Sequence, residues 1–135
     1  MVTVLFRARA SIAFTLIAAL LAETVQGHHS LALFERSTPI TISGVVKNFQ
    51  WTSPHVWIYL VSTNAGQPDV EWAIEAPAPA VLFRQGWRRS TLATGDKVSM
   101  TIYRRKDGTS NGAVADQPNL VINGVRALLV VPVHQ

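Results

Sequence analysis

The sequence predicts an all-β fold with one short helix, arranged as a small OB-like β-barrel, and three observations support this prediction. Apolar and polar residues alternate in several short runs, as they do in strands with one buried face. Proline and glycine separate these runs. The helical pattern of the domain falls between the third and fourth strands, which is the element order of an OB barrel. An open β-sandwich with a similar number of strands is the alternative.

The segment from Gly44 to Val61 predicts a strand, a sharp turn and a second strand. The second strand has two faces, with Val56, Ile58 and Leu60 on one and His55, Trp57, Tyr59 and Val61 on the other. Ser53-Pro54 separates the two strands, because proline cannot donate to a ladder and restricts the residue before it. His55 is therefore expected at the start of the second strand, where its side chain can meet solvent or a ligand. Gly44 predicts a bulge or a tight bend in the first strand.

A third strand is predicted at Val70–Ala76, where the alternation is cleanest. Trp72 and Ile74 fall on the face predicted to be buried. Glu71 and Glu75 fall on the opposite face, which is predicted to be solvated.

The rest of the chain predicts one helix and further strands. In order, the predicted elements are a helix at Pro79–Gln85, a strand around Val98–Tyr103, a loop at Arg104–Pro118, and a hairpin that pairs Asn119–Ile122 with Val125–Val131. Gly86 is a natural residue to end the helix. The loop is long, polar and glycine-containing, so it is expected to be flexible. Asn123-Gly124 is a strong hairpin signal, and the two strands beside it are expected to close the barrel.

Residues 1–27 have the pattern of a signal peptide. Arg7 and Arg9 provide a positive start, and the uncharged apolar run Ile12–Ala22 is too short to span a bilayer. Val25 and Gly27 occupy the positions that small residues take before a cleavage site. An anchoring helix is the alternative. The sequence thus predicts cleavage near Gly27 and a single periplasmic or secreted domain, residues 28–135, with no membrane span.

The predicted mature chain is mildly basic and has no cysteine. Loss of residues 1–27 removes Arg7, Arg9 and Glu23, which lowers the formal net charge from +4 to +3. The remaining basic residues are dispersed apart from two short clusters, Arg88-Arg89 and residues 104–106, so no nucleic-acid partner is expected. Without disulfides, a domain of this size must be stabilised by packing, or by packing together with a bound ion.

Four features of the predicted mature chain resemble one known family. They are the start His28-His29-Ser30, the turn Trp51-x-x-Pro54-His55, the strand Trp72-x-x-Glu75 and the turn Gly95-Asp96. With the segments around them, they resemble the DUF6152 family of exported bacterial proteins of unknown function. Members often have Asn-Pro-His at the turn, where this chain has Ser53 before Pro54. The resemblance implies an exported single-domain protein, and it implies no established chemistry.

A copper site is the first candidate function. If cleavage follows Gly27, the chain begins with His28, whose α-amine and ring nitrogen together form a chelate that suits Cu(II). His29 or His55 would supply a further nitrogen. If cleavage falls one residue earlier, His29 becomes the third residue after a free amine, an arrangement that also wraps Cu(II). The alternative is that His28 and His29 form an exposed start with no ligand, and His134 in the C-terminal tail is not expected to contribute.

An aromatic ligand-binding face is the second candidate function. Trp51, Trp57 and Tyr59, with Trp87, are candidates to line a barrel face that binds a polar organic or polymeric ligand. The alternative is that these side chains are core. A structural subunit of an envelope complex is a third class that the sequence leaves open.

The sequence argues against an enzyme. Glu71 and Glu75 are four residues apart on one strand face, but their alternation with apolar residues is typical of solvated strand positions. The chain has no cysteine, and no serine or threonine lies in a nucleophile motif. The sequence also assigns no partner protein.

Overall fold

A computed structural model defines residues 31–62, 66 and 68–129 of the chain. The chain divides into two units, Met1–Ala32 and Leu33–Gln135, and the second unit contains the strands. The predicted signal peptide, His28, His29 and His134 lie outside the described residues.

Five strands form a closed barrel. Within the described residues, the elements in chain order are a 3-10 helix at Leu31–Leu33, β1 at Phe34–Gln50, β2 at Val56–Ser62, β3 at Val70–Ala76, α1 at Pro79–Arg84, β4 at Lys97–Arg105, β5 at Asn111–Val114, β6 at Val121–Ile122 and β7 at Val125–Arg126. The first half of β1 pairs with β4 and its second half pairs with β2, so this long strand closes the barrel. The circular order is β1-β2-β3-β5-β4, with β5 parallel to β3. The predicted small barrel is confirmed, and α1 lies between β3 and β4.

The strand that completes the barrel lies inside the segment predicted to be a flexible loop. β5 occupies Asn111–Val114, between β3 and β4. The predicted closing hairpin does form at Asn123-Gly124, but its strands have two residues each, and it extends from β4 instead of closing the barrel. The loop prediction was wrong because β5 is short, polar at its start and glycine-containing. Its pairing partners on β3 and β4, which local sequence does not reveal, stabilise it.

The barrel interior is filled by the apolar faces that the alternation predicts. The largest fully buried side chains are Val46, Val56, Ile58, Leu60, Ile74, Leu82, Trp87, Met100, Ile102 and Leu120. β2 alternates without exception between buried and half-buried residues. On β3, Ile74 is fully buried and Glu71 is exposed, as predicted, whereas Trp72 and Glu75 are both half-buried.

Gly44 lies where β1 and β2 come unusually close. A Cβ atom at this position would be 2.5 Å from the carbonyl oxygen of Val61, so only glycine fits without moving one of the strands. The shift in register that was predicted at Gly44 occurs slightly later, between Val46 and Asn48, and leaves Lys47 as the extra residue.

The helix α1 ends in the motif that the glycine predicts. Gly86 has a φ of 90°, and its amide donates to the carbonyl of Phe83, while the amide of Trp87 donates to the carbonyl of Leu82. This Schellman arrangement directs Trp87 into the core, where it is 1% exposed. Among the described residues, no helix is long and apolar enough to cross a membrane.

Candidate ligand-binding face

Two aromatic side chains lie beside each other on the outer side of β2. Trp57 and Tyr59 are two residues apart, so their side chains leave the strand on the same face. Their ring centroids are 6.4 Å apart and their planes differ by 25°. Both residues are half-buried, while their neighbours Val56, Ile58 and Leu60 fill the barrel core. The strand therefore keeps these two rings out of the core and presents them at the surface.

Polar residues of β1 and β3 flank the two rings. Trp57 pairs with Gln50 of β1 and Glu75 of β3, and Tyr59 pairs with Asn48 of β1 and Ala73 of β3. Directly paired residues point to the same side of a sheet, so these residues share one outer surface. We call this surface the aromatic face, and it consists of Asn48, Gln50, Trp57, Tyr59, Ala73 and Glu75.

A contact between a nitrogen and a carboxylate borders each end of the aromatic face. At one end, Lys47 Nζ is 2.6 Å from Glu71 Oε2, and this pair reaches from β1 to β3 across β2. At the other end, His55 Nδ1 is 2.6 Å from Glu75 Oε1. Each carboxylate thus has a partner that offers an N–H group.

The amides of the aromatic face are available to a ligand. Asn48 and Gln50 are exposed, and within the described part of the chain their side chains make no hydrogen bond to the protein. Each amide supplies both donors and an acceptor. The face thus combines two aromatic rings with unengaged hydrogen-bonding groups.

Comparison with known proteins identifies the family of the chain. A family of unknown function, DUF6152, matches residues 16–115. The chain belongs to the DUF6152 family. No curated protein matches it. The matched residues include β1 to β5, so the whole aromatic face of this DUF6152 protein lies within the family region.

Two of the four aromatic residues considered for a binding face lie elsewhere. Trp51 packs against the core cluster and meets Phe49 edge to face at a centroid distance of 5.8 Å. Trp87 is buried beside the same phenylalanine, at 6.4 Å. The structure therefore brings Trp57 and Tyr59 together, and it does not bring Trp51 or Trp87 to their face.

The histidines of the predicted copper site are only partly described. His55 has a side chain that is 39% exposed, and its contact with Glu75 occupies Nδ1. Because a carboxylate only accepts hydrogen bonds when ionised, the proton of the neutral imidazole is assigned to Nδ1, which leaves Nε2 as the acceptor. Within the described residues, no group of three His, Cys, Asp or Glu side chains could hold a metal ion. A site that also uses His28 and His29 stays a prediction.

The paired outer residues that begin with Trp57 and Glu75 continue onto β5 and β4. Glu75 pairs with Ala113 of β5, which pairs with Tyr103 of β4. The Tyr103 hydroxyl donates to Asp116 Oδ2 over 3.0 Å, and the Arg36 guanidinium donates to the same oxygen over 2.8 Å. A third aromatic ring, that of Tyr103, thus lies with polar partners on the same side of the barrel wall as the aromatic face.

Sequence reasoning missed the polar members of this face. Asn48 and Gln50 alternate with the inward Phe49. Their outward direction could therefore be predicted from the alternation of side chains along a strand. Their position opposite Tyr59 and Trp57 was not readable, because the extra residue at Lys47 shifts the register of the two strands. The pairing of His55 with Glu75 likewise needed the register of β2 and β3.

Proposed function

We propose that this DUF6152 protein is a binding module that holds a polar organic or polymeric ligand on the aromatic face. The observation that carries the proposal is the near-parallel pair of Trp57 and Tyr59, which stays partly exposed on β2 although the core lies directly behind it. Tyrosine and tryptophan, whose rings combine an apolar body with a polar group, are enriched at binding interfaces. The outer face of β2 and β3 is also the surface that OB barrels use for oligonucleotides and oligosaccharides.

The polar groups around the rings favour binding over acid–base catalysis. Glu71 and Glu75 each contact a nitrogen at 2.6 Å, from Lys47 and His55 respectively. Each carboxylate is thus engaged by another side chain of the protein, whereas a general acid or base must reach the substrate. A face with fixed acceptors and free amides is suited to orienting hydroxyl or amide groups of a ligand.

A retention assay on immobilised polymers tests this function. Neutral polysaccharides, polygalacturonate, single-stranded oligothymidine and a polyproline peptide would be presented to the full-length protein and to Trp57→Ala. We expect at least one polymer to retain the protein and Trp57→Ala to lose that retention, because the stacking surface is removed.

The matched control is Phe83→Ala. Phe83 is also a surface aromatic residue, 56% exposed, but it lies on α1. Retention should be unchanged in this variant. Absence of retention on every polymer, or equal loss in both variants, contradicts a binding module that uses the aromatic face.

Copper binding is the second candidate function, and the contact of His55 with Glu75 is the observation that favours it. Metal-binding histidines generally donate their other ring N–H to a carboxylate or carbonyl, which orients the ring. Glu75 would serve in this way for His55, with Nε2 facing the metal. His28 and His29 would supply the remaining nitrogens, and a nitrogen set favours Cu(II) over Zn(II) on intrinsic affinity.

Calorimetric titration with Cu(II) tests the copper site. His55→Ala should weaken binding far more than His134→Ala, a matched histidine outside the proposed site. Glu75→Gln should weaken binding by about tenfold or more, because the ring loses its orienting carboxylate. Binding should also fall on acidification, since histidine must be neutral to ligate. Equal affinities for the wild type and His55→Ala would exclude His55 as a ligand.

We further propose that the module acts in the periplasm or outside the cell. The support is the charged start, apolar run and small-residue site in residues 1–27. Expression of the full chain in a bacterial host should give a periplasmic product whose intact mass matches a start at His28. A product that retains residues 1–27 contradicts the proposal. A product that starts at Gly27 would still support export. It would also mean that copper binds through the terminus in which His29 is the third residue.

A further inference from the structure

We infer that the ligand of the aromatic face is an uncharged glycan, bound with its sugar rings against Trp57 and Tyr59. This inference rests on the proposed function and narrows it to one class of ligand. Three properties of the face carry it: its charge, the hydrogen-bonding groups beside the rings, and the relative orientation of the rings.

The charge of the face disfavours anionic ligands. Lys47 is the basic residue beside the rings, and its ammonium group is 2.6 Å from Glu71. A second carboxylate, that of Glu75, lies in register with Trp57. Proteins that bind single strands of nucleic acid combine stacking rings with a positively charged groove that follows the phosphates. No unpaired cation accompanies the rings among the described residues of the aromatic face, so phosphates or uronates would find no basic groove there.

The hydrogen-bonding groups match hydroxyls. The amides of Asn48 and Gln50 each provide donors and an acceptor, and the Glu75 carboxylate provides acceptors. A sugar hydroxyl both donates and accepts, so it can satisfy every one of these groups. A proline-rich peptide, the other common ligand of aromatic surfaces, offers carbonyl acceptors and lacks N–H groups at its prolines. Such a peptide would offer no N–H group at its prolines to Glu75 Oε2, the carboxylate oxygen that His55 does not contact.

The orientation of the rings suits flat ligands instead of a compact cation. The planes of Trp57 and Tyr59 differ by only 25°, so the two rings do not surround a point from different sides as an aromatic cage does. Aromatic faces carry partial negative charge and attract the weakly positive C–H groups that a sugar ring presents on its apolar side. Ala73, which pairs with Tyr59, adds little bulk, so a chain of sugars can lie close to the sheet.

Affinity electrophoresis of the full-length chain tests the inference. The probes are an array of neutral glycans, including glucans, mannans and galactans, together with polygalacturonate, single-stranded oligothymidine and a polyproline peptide. We expect retention by a neutral glycan, with an affinity that changes little when salt is raised, because no counterions are released. Trp57→Ala should raise the Kd by about tenfold, the scale of one well-packed aromatic contact.

Gln50→Ala is the second variant, because it removes an exposed amide without touching the core. It should raise the Kd several-fold, while the exposed glutamine control Gln117→Ala and the aromatic control Phe83→Ala leave it unchanged. Thermal unfolding of each variant verifies that it is folded. If Trp57→Ala is not folded, the Kd of Gln50→Ala tests the site.

The outcomes separate the ligand class from the proposed function. Suppose that no neutral glycan binds and that oligothymidine, polygalacturonate or polyproline retains the wild type but not Trp57→Ala. This result overturns the inference of a glycan ligand and leaves the proposed binding module intact. Retention by a neutral glycan that is unaffected by both Trp57→Ala and Gln50→Ala overturns the site. If none of the probes retains the protein, both the inference of a glycan ligand and the proposed binding function are overturned.

Discussion

Trp57 and Trp87 are the same residue type on opposite sides of one barrel wall. Trp87 is 1% exposed and packs beside Phe49 inside the barrel. Trp57 is half-buried on the outer side of β2 and pairs with polar residues of both neighbouring strands. The inner tryptophan contributes mainly to the stability of the fold, whereas the outer one stays partly exposed beside Tyr59.

The two tryptophans predict that substitutions on the inner and outer faces separate the stability of the domain from the proposed ligand binding. The barrel has no disulfide to stabilise it, so burial of the apolar inner faces must provide most of the free energy of folding. The outer face of β2 contributes less burial, and its substitution should therefore affect ligand binding more than unfolding. The predictions below test this separation.

The largest expected effect is on stability and comes from Trp87→Ala. Removal of a fully buried large side chain leaves a cavity and should lower the free energy of unfolding by about 3–5 kcal/mol. Trp57→Ala, the matched control, should lower it by about 1 kcal/mol, closer to a surface substitution. Urea denaturation followed by circular dichroism measures both values. Similar losses in the two variants would mean that Trp57 is as much a core residue as Trp87.

The next effect concerns the contact between strands at Gly44. Gly44→Ala would place a Cβ atom 2.5 Å from the carbonyl oxygen of Val61, which is backbone and cannot rotate away. We expect a loss of about 1–3 kcal/mol, the usual cost of overpacking. Ser43→Ala, at the exposed neighbouring position, should stay within about 0.5 kcal/mol of the wild type. An unchanged midpoint in urea for Gly44→Ala contradicts the close approach of β1 and β2.

A smaller effect is expected from the ion pair on the outer side of the wall. Lys47 and Glu71 are about half-exposed, so their interaction should contribute about 0.2–1 kcal/mol. A double-mutant cycle with Lys47→Ala and Glu71→Ala measures this coupling. Its value should fall as salt is raised, because exposed charges are screened. A coupling that is insensitive to salt would show that the pair is more deeply buried than the structure places it.

The smallest effect is the pH dependence that comes from Asp96, a surface residue away from both tryptophans. The amide of Ala93 and, to a lesser extent, the side chain of Asn123 donate to its carboxylate and hold its pKa below the ordinary value of 3.8. The resulting stabilisation is fully present above pH 3.8, the ordinary pKa of the group in the unfolded chain. It is lost as the pH falls through the lowered pKa of the folded state.

Asp96→Asn should therefore show a smaller loss of stability on acidification than the wild type does. Urea midpoints measured across the acidic range provide the comparison. Parallel pH profiles for the two proteins would show that Asp96 titrates alike in the folded and unfolded chains.

Local patterns were sufficient for much of the fold. The period of two in β2 predicted which residues face the core, and it holds for Val56, Ile58 and Leu60. The helix and its end at Gly86 followed from proline tolerance in the first turn and from the left-handed conformation that glycine adopts easily. These elements depend on backbone preferences and side-chain alternation, which act over a few residues.

Long-range pairing decided the parts that the sequence left open. β5 forms because Asn111–Val114 can pair with β3 on one side and β4 on the other, although its own composition is that of a loop. Tertiary packing likewise placed Trp51 and Trp87 together beside Phe49.

The sequence by itself determined the strand faces, the helix α1, the hairpin turn and the small-barrel class. The tertiary structure decided how the barrel closes and which polar groups surround the aromatic pair. The bulge at Lys47 sets Gln50 opposite Trp57, and the register of β2 with β3 sets Glu75 beside both Trp57 and His55. Register is a property of two strands at once, so the pattern within either strand cannot specify it.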